Sequence, residues 1–152
     1  MYTILNENKL NNSLKNLSPE KQAVFGIMTP QHMVEHLILL VKLSNGGLKG
    51  QLMRSEETAA KWKQGLIYTD MEFPQGIRVP GQEENTLPEL RYENLEKAIS
   101  KLKQEVKIFD DFFQNNPNEM TMHPALGMLN YDEWKIFHTK HFTHHFKQFE
   151  LI

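Results

Sequence analysis

The sequence predicts an all-α protein built as a four-helix bundle. Apolar residues recur every three or four positions in four separate stretches, and favourable capping residues precede two of these stretches. No stretch alternates convincingly between apolar and polar residues as a strand does. The chain has 152 residues, the usual size of one domain with one hydrophobic core. We therefore expect a single helical-bundle domain over residues 1–152.

The first two helices are predicted from apolar spacing and from helix-start signals. Three leucines in NKLNNSLKNL have helical spacing, and SPEK at residues 18–21 has the pattern of a helix start, with Ser18 as the cap and Pro19 at the first helical position. A short helix plus one turn is therefore expected. A second helix is predicted over residues 30–45, because Thr29 is a good N-cap and Pro30 fits the first helical position. Its apolar residues continue up to an Asn-Gly-Gly stop.

The second half of the chain predicts two longer helices after an irregular connection. Residues 46–89 are rich in glycine and proline, and only SEETAAKWKQ within them indicates helix. Connections of this length are usually functional or cover a site. From about residue 90, regular apolar spacing predicts a third helix that ends at NNPN. Asn130 and Glu133 form a capping-box pattern, which predicts a fourth helix up to about Phe149.

The charge pattern and composition argue against several function classes. The 17 basic and 19 acidic residues give a net charge of −2 and form no basic patch, so nucleic-acid binding is not expected. No apolar run is long enough to span a membrane and the start of the chain lacks a signal-peptide pattern, so a cytoplasmic protein without membrane contact is expected. Because there is no cysteine, any metal must be held by nitrogen and oxygen.

Histidines supply the strongest functional signal, since four of the seven lie in HTKHFTHHFKQF at residues 138–149. A helical projection places His138, His141 and His145 on one aromatic stripe, where an unpaired imidazole nitrogen would cost about 1–3 kcal/mol. His141 and His145 are spaced i, i+4, so their side chains lie about 5–6 Å apart and can bind one ion. His36, which lies among leucines on the apolar side of the second predicted helix, is the candidate third ligand.

Helix depth gives an independent check on whether the three histidines can share one site. With a rise of about 1.5 Å per residue, His36 lies about 9 Å from the start of its helix, and the midpoint of His141 and His145 lies about 9 Å from the end of theirs. Antiparallel packing of the two helices brings the three rings to one level, which requires an up-down-down-up bundle with a long crossover between the second and third helices. The alternative is that each histidine is bonded to its own acceptor in the core.

The two histidine-bearing segments, MTPQHMVEHL and HPALGMLNYDEW followed by HTKHFTHHFKQF, resemble the DinB/YfiT superfamily, whose members are regarded as metalloenzymes. The resemblance extends over most of the chain and implies a four-helix bundle with the same crossover topology. It also implies a metal triad of His36, His141 and His145. Some members transfer low-molecular-weight thiols to electrophiles, which implies a thiol as a candidate substrate.

Two function classes stay open. The first is a metal-dependent hydrolase or thiol transferase that acts on a small-molecule substrate. It would bind Zn or Ni through three neutral imidazoles and leave one coordination position open for water or a thiol. In this class, His138 and His32, each one turn before a ligand, are catalytic candidates that orient ligands or move a proton, with packing as their alternative role. The second is a non-catalytic bundle that acts as a homodimer, in which metal or hydrogen bonds only stabilise the core.

Other residues have weaker signals. His123, before Pro124, is expected to fix the turn into the fourth helix, and Glu35 is expected to be a surface charge. Candidate walls of a pocket over the metal come from the long connection, where a small separate core is the alternative. These residues are Trp62, Tyr68, Met71, Phe73 and Arg78.

Overall fold

The computed structural model of the protein describes residues 4–75 and 86–152. Within these ranges the chain is mostly helical, as predicted, and it also contains a short two-stranded sheet that the sequence analysis did not predict. None of the helices there is long and apolar enough to cross a lipid bilayer. In chain order the elements are α1 (Glu7–Leu14), α2 (Pro30–Ser44), α3 (Glu56–Tyr68), α4 (Leu95–Asn115), β1 (Thr121–His123), β2 (Gly127–Leu129) and α5 (Tyr131–Gln148).

Side-chain caps determine where several helices begin. The side chain of Thr29 accepts a first-turn backbone N–H at the start of α2, and Ser55 does the same for α3. At the start of α5, Asn130 and Glu133 form the predicted capping box, in which each side chain bonds to the backbone of the other residue. The predicted starts of α2 and α5 are therefore confirmed. Residues 18–21 form a turn without helix.

The helix predicted from about residue 90 begins later, because the chain before it is docked on α2. The carboxylate of Glu35 accepts hydrogen bonds from the backbone N–H of Arg91 at 2.7 Å and of Tyr92 at 3.3 Å. Asn94 then caps α4, which begins at Leu95. Glu35 is thus more than a surface charge, since it attaches this segment to the helix that bears His36.

The two strands form a hairpin that is hydrogen-bonded to both α2 and α5. Its strands are antiparallel, with Thr121 opposite Leu129, and Gly127 adopts a left-handed φ of 85° after the turn. The hydroxyl of Thr121 donates to the carbonyl of Ser44 at 3.1 Å and accepts from the indole N–H of Trp134 at 2.7 Å. Each strand has only three residues, so its sequence is too short to show alternation.

His123 fixes the hairpin turn, as expected. Its Nδ1 accepts from the backbone N–H of Ala125 at 2.9 Å and of Leu126 at 3.2 Å. Its Nε2 must then carry the proton, and this buried atom has no hydrogen-bond partner within the described ranges. Burial, with a smaller effect from Arg54, lowers the pKa of His123 to about 3, so the ring is neutral at physiological pH.

Contacts along α2 show that it runs antiparallel to α5. In the middle of α2, His36 contacts His141, whereas at its end Ser44 contacts His138. Later residues of α2 therefore meet earlier residues of α5. This is the relative direction that a shared histidine site requires.

Contacts between α2 and α4 show that these two helices run parallel. Near the start of α2, Gln31 donates to the carbonyl of Tyr92, which precedes α4. Just after α2, Asn45 donates to the carbonyl of Glu105 inside α4. Later residues of α2 therefore meet later residues of α4, so the two helices point the same way.

One hydrophobic cluster contains residues of α1, α2, α4 and α5. Leu10, Leu37, Leu102 and Phe142, one from each helix, are at most 1% exposed. Burying a side chain of this size contributes about 1.5–3 kcal/mol. This shared core holds α2 and α5 in a fixed register, on which the position of the histidines depends.

Candidate metal centre

Three histidines from two helices meet at one point. His36 on α2 and His141 on α5 bring their Nε2 atoms to 2.9 Å, and the Nε2 of His145 lies 3.2 Å from that of His141. The three candidate ligand atoms all lie within 4.8 Å of one another. The predicted convergence of these rings is therefore confirmed.

The donor geometry fits a divalent ion. Two Zn–N bonds of about 2.0–2.1 Å at a tetrahedral angle place their nitrogens about 3.3 Å apart. Two of the three separations here, 2.9 and 3.2 Å, are close to that value, and the third lies within 4.8 Å. Three nitrogen lone pairs that face one point repel one another unless a proton or a cation lies between them. Imidazole donors suit zinc, nickel and other first-row divalent ions.

Burial keeps the three imidazoles neutral. His141 is 1% exposed and His145 is 5% exposed, and the loss of water contact lowers their pKa values well below the ordinary range. Although part of the His36 residue is exposed, desolvation of its ring and the nearby His144 lower its pKa to about 4. Neutral imidazole is the form that binds a metal, so few protons compete with the ion at neutral pH.

Comparison with known proteins assigns the chain to a family. The model of a family described as "Protein of unknown function (DUF1569)" matches residues 3–151. The chain belongs to the DUF1569 family. Comparisons with curated proteins and with solved structures found no match. The two histidine-bearing helices lie entirely within the matched range of this DUF1569 chain.

Aromatic rings cover one side of the triad. Phe73, in the chain that follows α3, has its ring centre 5.0 Å from that of His141 and 5.1 Å from that of His144. Phe137 lies 5.0 Å from His141. Burial lowers the pKa of His144, and a hydrogen bond to the backbone of Phe73 acts in the opposite direction. Of the predicted wall residues, Phe73 therefore lies against the triad.

The other predicted wall residues have different surroundings. Tyr68 donates its hydroxyl hydrogen bond to Glu133, and Trp62 lies beside Arg54, whose guanidinium carbon is 6.0 Å from the indole centre. Met71 packs against the hydrophobic cluster. The prediction for Arg78 lies outside the described residues.

His138 and His32 lie outside the group of three. The Nε2 of the fully buried His138 is 2.9 Å from the hydroxyl of Ser44, which itself donates to the carbonyl of Val41. His138 must therefore donate through Nε2, and its Nδ1 has no partner in the part of the chain that the structure describes. His32 contacts the carbonyl of Pro88 at 3.1 Å. A catalytic role for His138 or His32 stays a prediction.

Lys140 holds in place the chain after α3, which carries Phe73 over the histidines. The sequence did not indicate this role. The Nζ of Lys140 donates to the carbonyl oxygens of Leu66, Thr69 and Met71 at 2.6, 2.8 and 2.7 Å. These bonds attach the end of α3 and the following chain to α5. Phe73 is thereby positioned over the histidines. Lys140 directly precedes His141, so helical spacing places it off the histidine stripe and gives no indication of these partners.

Gln148 is the second supporting residue that the sequence analysis missed. Its side-chain oxygen lies 2.8 Å from the Nδ1 of His145, three residues earlier on α5. Residues spaced i, i+3 on a helix are neighbours, so this spacing was an available signal. The bond leaves the Nε2 of His145 free to face His36 and His141.

Proposed function

We propose that this protein is a metal-dependent enzyme that holds a divalent ion beside an open coordination position. The observation that carries the proposal is the approach of the ligand atoms of His36, His141 and His145 to within 4.8 Å. The reaction is hydrolysis, or transfer of a thiol to an electrophile, and the substrate is a small molecule. A low-molecular-weight thiol is the candidate nucleophile for the transferase reaction.

Zinc or nickel is the ion that best suits three imidazole donors. When bound, such an ion supplies Lewis-acid chemistry that lowers the pKa of a water or thiol at its free position. The protein contributes the three neutral nitrogens and their fixed orientation. The rings of Phe73 and Phe137, each 5.0 Å from His141, exclude water from that side.

The ligand count supports an open position. Among the described His, Asp and Glu side chains, the group that contains His36 has three members. Structural zinc sites usually have four protein ligands, whereas catalytic sites usually have three. His36 is partly exposed while His141 and His145 are buried, so a substrate would approach from the side of His36.

We further propose that α1, α2, α4 and α5 form an up-down-down-up four-helix bundle of the DinB/YfiT type. Two contact patterns support this topology: α2 is antiparallel to α5, and it points the same way as α4. The chain between α2 and α4, which carries α3, then forms the crossover. The resemblance implies the same three histidines, His36, His141 and His145, as the metal triad.

X-ray absorption spectroscopy of the zinc-loaded protein tests the open position. We expect three imidazole nitrogens and at least one light, non-protein ligand, with sulfur entering the coordination shell when a small thiol is added. A shell of four protein ligands that does not change with thiol would contradict the proposal. It would favour the alternative that the metal only stabilises the fold.

Activity assays test the reaction class. Zinc- and nickel-loaded protein should be assayed with pairs of thiols and electrophiles and with simple esters. We expect turnover that falls to background in His36→Ala and is unchanged in Lys107→Ala, a substitution on the exposed face of α4. Turnover that persists in His36→Ala would show that the triad does not carry the reaction.

A further inference from the structure

We infer that Gln148 is a positioning residue that fixes the tautomer of His145, and that the backbone of residues 24–26 determines how Gln148 points. The inference rests on the proposed metal function for its purpose, because a ligand must present an unprotonated nitrogen to the ion. The tautomer itself can be measured without metal. Failure of the inference and failure of the proposed function are therefore separable.

A chain of three hydrogen bonds carries the inference. The Nδ1 of His145 lies 2.8 Å from the Oε1 of Gln148. The Nε2 of Gln148 donates to the carbonyl of Phe25 at 3.0 Å, and the backbone N–H of Val24 donates to the carbonyl of Gln148 at 2.9 Å. The segment before α2 is thus bonded to both the side chain and the main chain of Gln148.

The direction of the two bonds made by the Gln148 side chain follows from the carbonyl of Phe25. The carbonyl of Phe25 can only accept, so the amide of Gln148 must turn its NH₂ group towards it. The amide oxygen of Gln148 then faces His145 and can only accept. His145 must therefore carry its proton on Nδ1, which leaves the lone pair of Nε2 directed at His36 and His141. A backbone carbonyl far away in sequence thereby selects the metal-binding tautomer.

Gly26 permits the close approach that this arrangement needs. Its φ is 76°, in the left-handed region that favours glycine, and a Cβ at this position would lie 2.9 Å from the Nε2 of Gln148. A side chain at residue 26 would push the amide away from the carbonyl of Phe25. Partners of this kind behind a ligand typically change metal affinity by about 10- to 100-fold.

Nitrogen NMR of histidine-labelled, metal-free protein measures the tautomer directly. In the wild type we expect His145 to be protonated on Nδ1. Gln148→Met removes the strong acceptor and should give a mixture of tautomers, with zinc affinity lowered by about 10- to 100-fold. Gln148→Glu keeps an acceptor for His145 but repels the carbonyl of Phe25. It should retain the tautomer and the zinc affinity while it melts at a lower temperature.

These variants separate positioning from mere structural support. The matched control is Gln104→Met, at an exposed position of α4, which should change neither tautomer nor affinity. A wild-type His145 protonated on Nε2, or an unchanged tautomer in Gln148→Met, would overturn the inference. If Gln148→Met does not fold, loss of the tautomer in Gln148→Glu would overturn it equally. If wild type binds no metal, the proposed function fails, and the tautomers still decide this inference.

Discussion

Acidification of the metal-free protein should destabilise it strongly, because two histidines outside the triad are buried in the neutral form. His123 is 6% exposed and His138 is 0% exposed. Burial is the main cause that lowers the pKa of each from 6.5 to about 3. The unfolded chain therefore takes up protons below pH 6.5 that the folded chain does not. Stability is complete above that pH and is lost as the pH falls towards 3.

The size of the effect follows from these pKa values. Between pH 7 and pH 5, each of the two groups lowers the free energy of unfolding by about 2 kcal/mol, because one pKa unit corresponds to about 1.4 kcal/mol. Together His123 and His138 account for about 4 kcal/mol, a large part of the roughly 5–15 kcal/mol typical of a domain. The lowered pKa values of His141 and His145 act in the same direction.

Urea unfolding with a chelator at pH 7, 6 and 5 measures this loss. We expect the wild type to lose at least about 4 kcal/mol between pH 7 and pH 5. His138→Phe removes one titrating group from an apolar site, so its loss over the same range should be smaller by about 2 kcal/mol. A wild-type loss below about 1 kcal/mol, or equal losses in the two proteins, would refute the argument that burial holds these rings neutral.

Three further substitutions test the segments around the site. Lys140→Met removes three hydrogen bonds to carbonyls and should lower the free energy of unfolding by about 2–3 kcal/mol. The control Lys107→Met should change it little. Equal free energies of unfolding in the two variants would contradict the role of Lys140. Gly50→Ala places a Cβ 2.5 Å from the carbonyl of Met122 and should lower the free energy of unfolding by about 1–3 kcal/mol in urea unfolding. Gly65→Ala, inside α3, places a Cβ in ordinary van der Waals contact with the Sδ of Met71 at 3.8 Å and should raise it by about 1 kcal/mol. The opposite order of the two glycine variants would contradict the packing at β1.

Local signals in the sequence were sufficient to predict the helices that carry the triad. Thr29 and Asn130 act within one helical turn, so their effect is visible without the rest of the structure. The i, i+4 spacing of His141 and His145 and the depth of His36 were enough to predict where the three rings meet.

Features that depend on distant partners could not be predicted in this way. The carbonyl of Phe25 sets the orientation of the Gln148 side chain. Lys140 donates hydrogen bonds to carbonyls at the end of α3 and just after it. Glu35 resembles a surface charge until the chain before α4 folds back onto it. In each case a polar side chain binds backbone atoms more than fifty residues away, and backbone atoms carry no sequence signal.

Metal analysis of purified protein after exposure to zinc or nickel tests the central claim most directly. Wild type and His32→Ala, whose ring lies outside the group of three, should each retain about one ion per chain. His36→Ala and His145→Ala should retain little, because each removes one of the three converging nitrogens. Equal metal contents in all four proteins, or no metal in the wild type, would contradict the account.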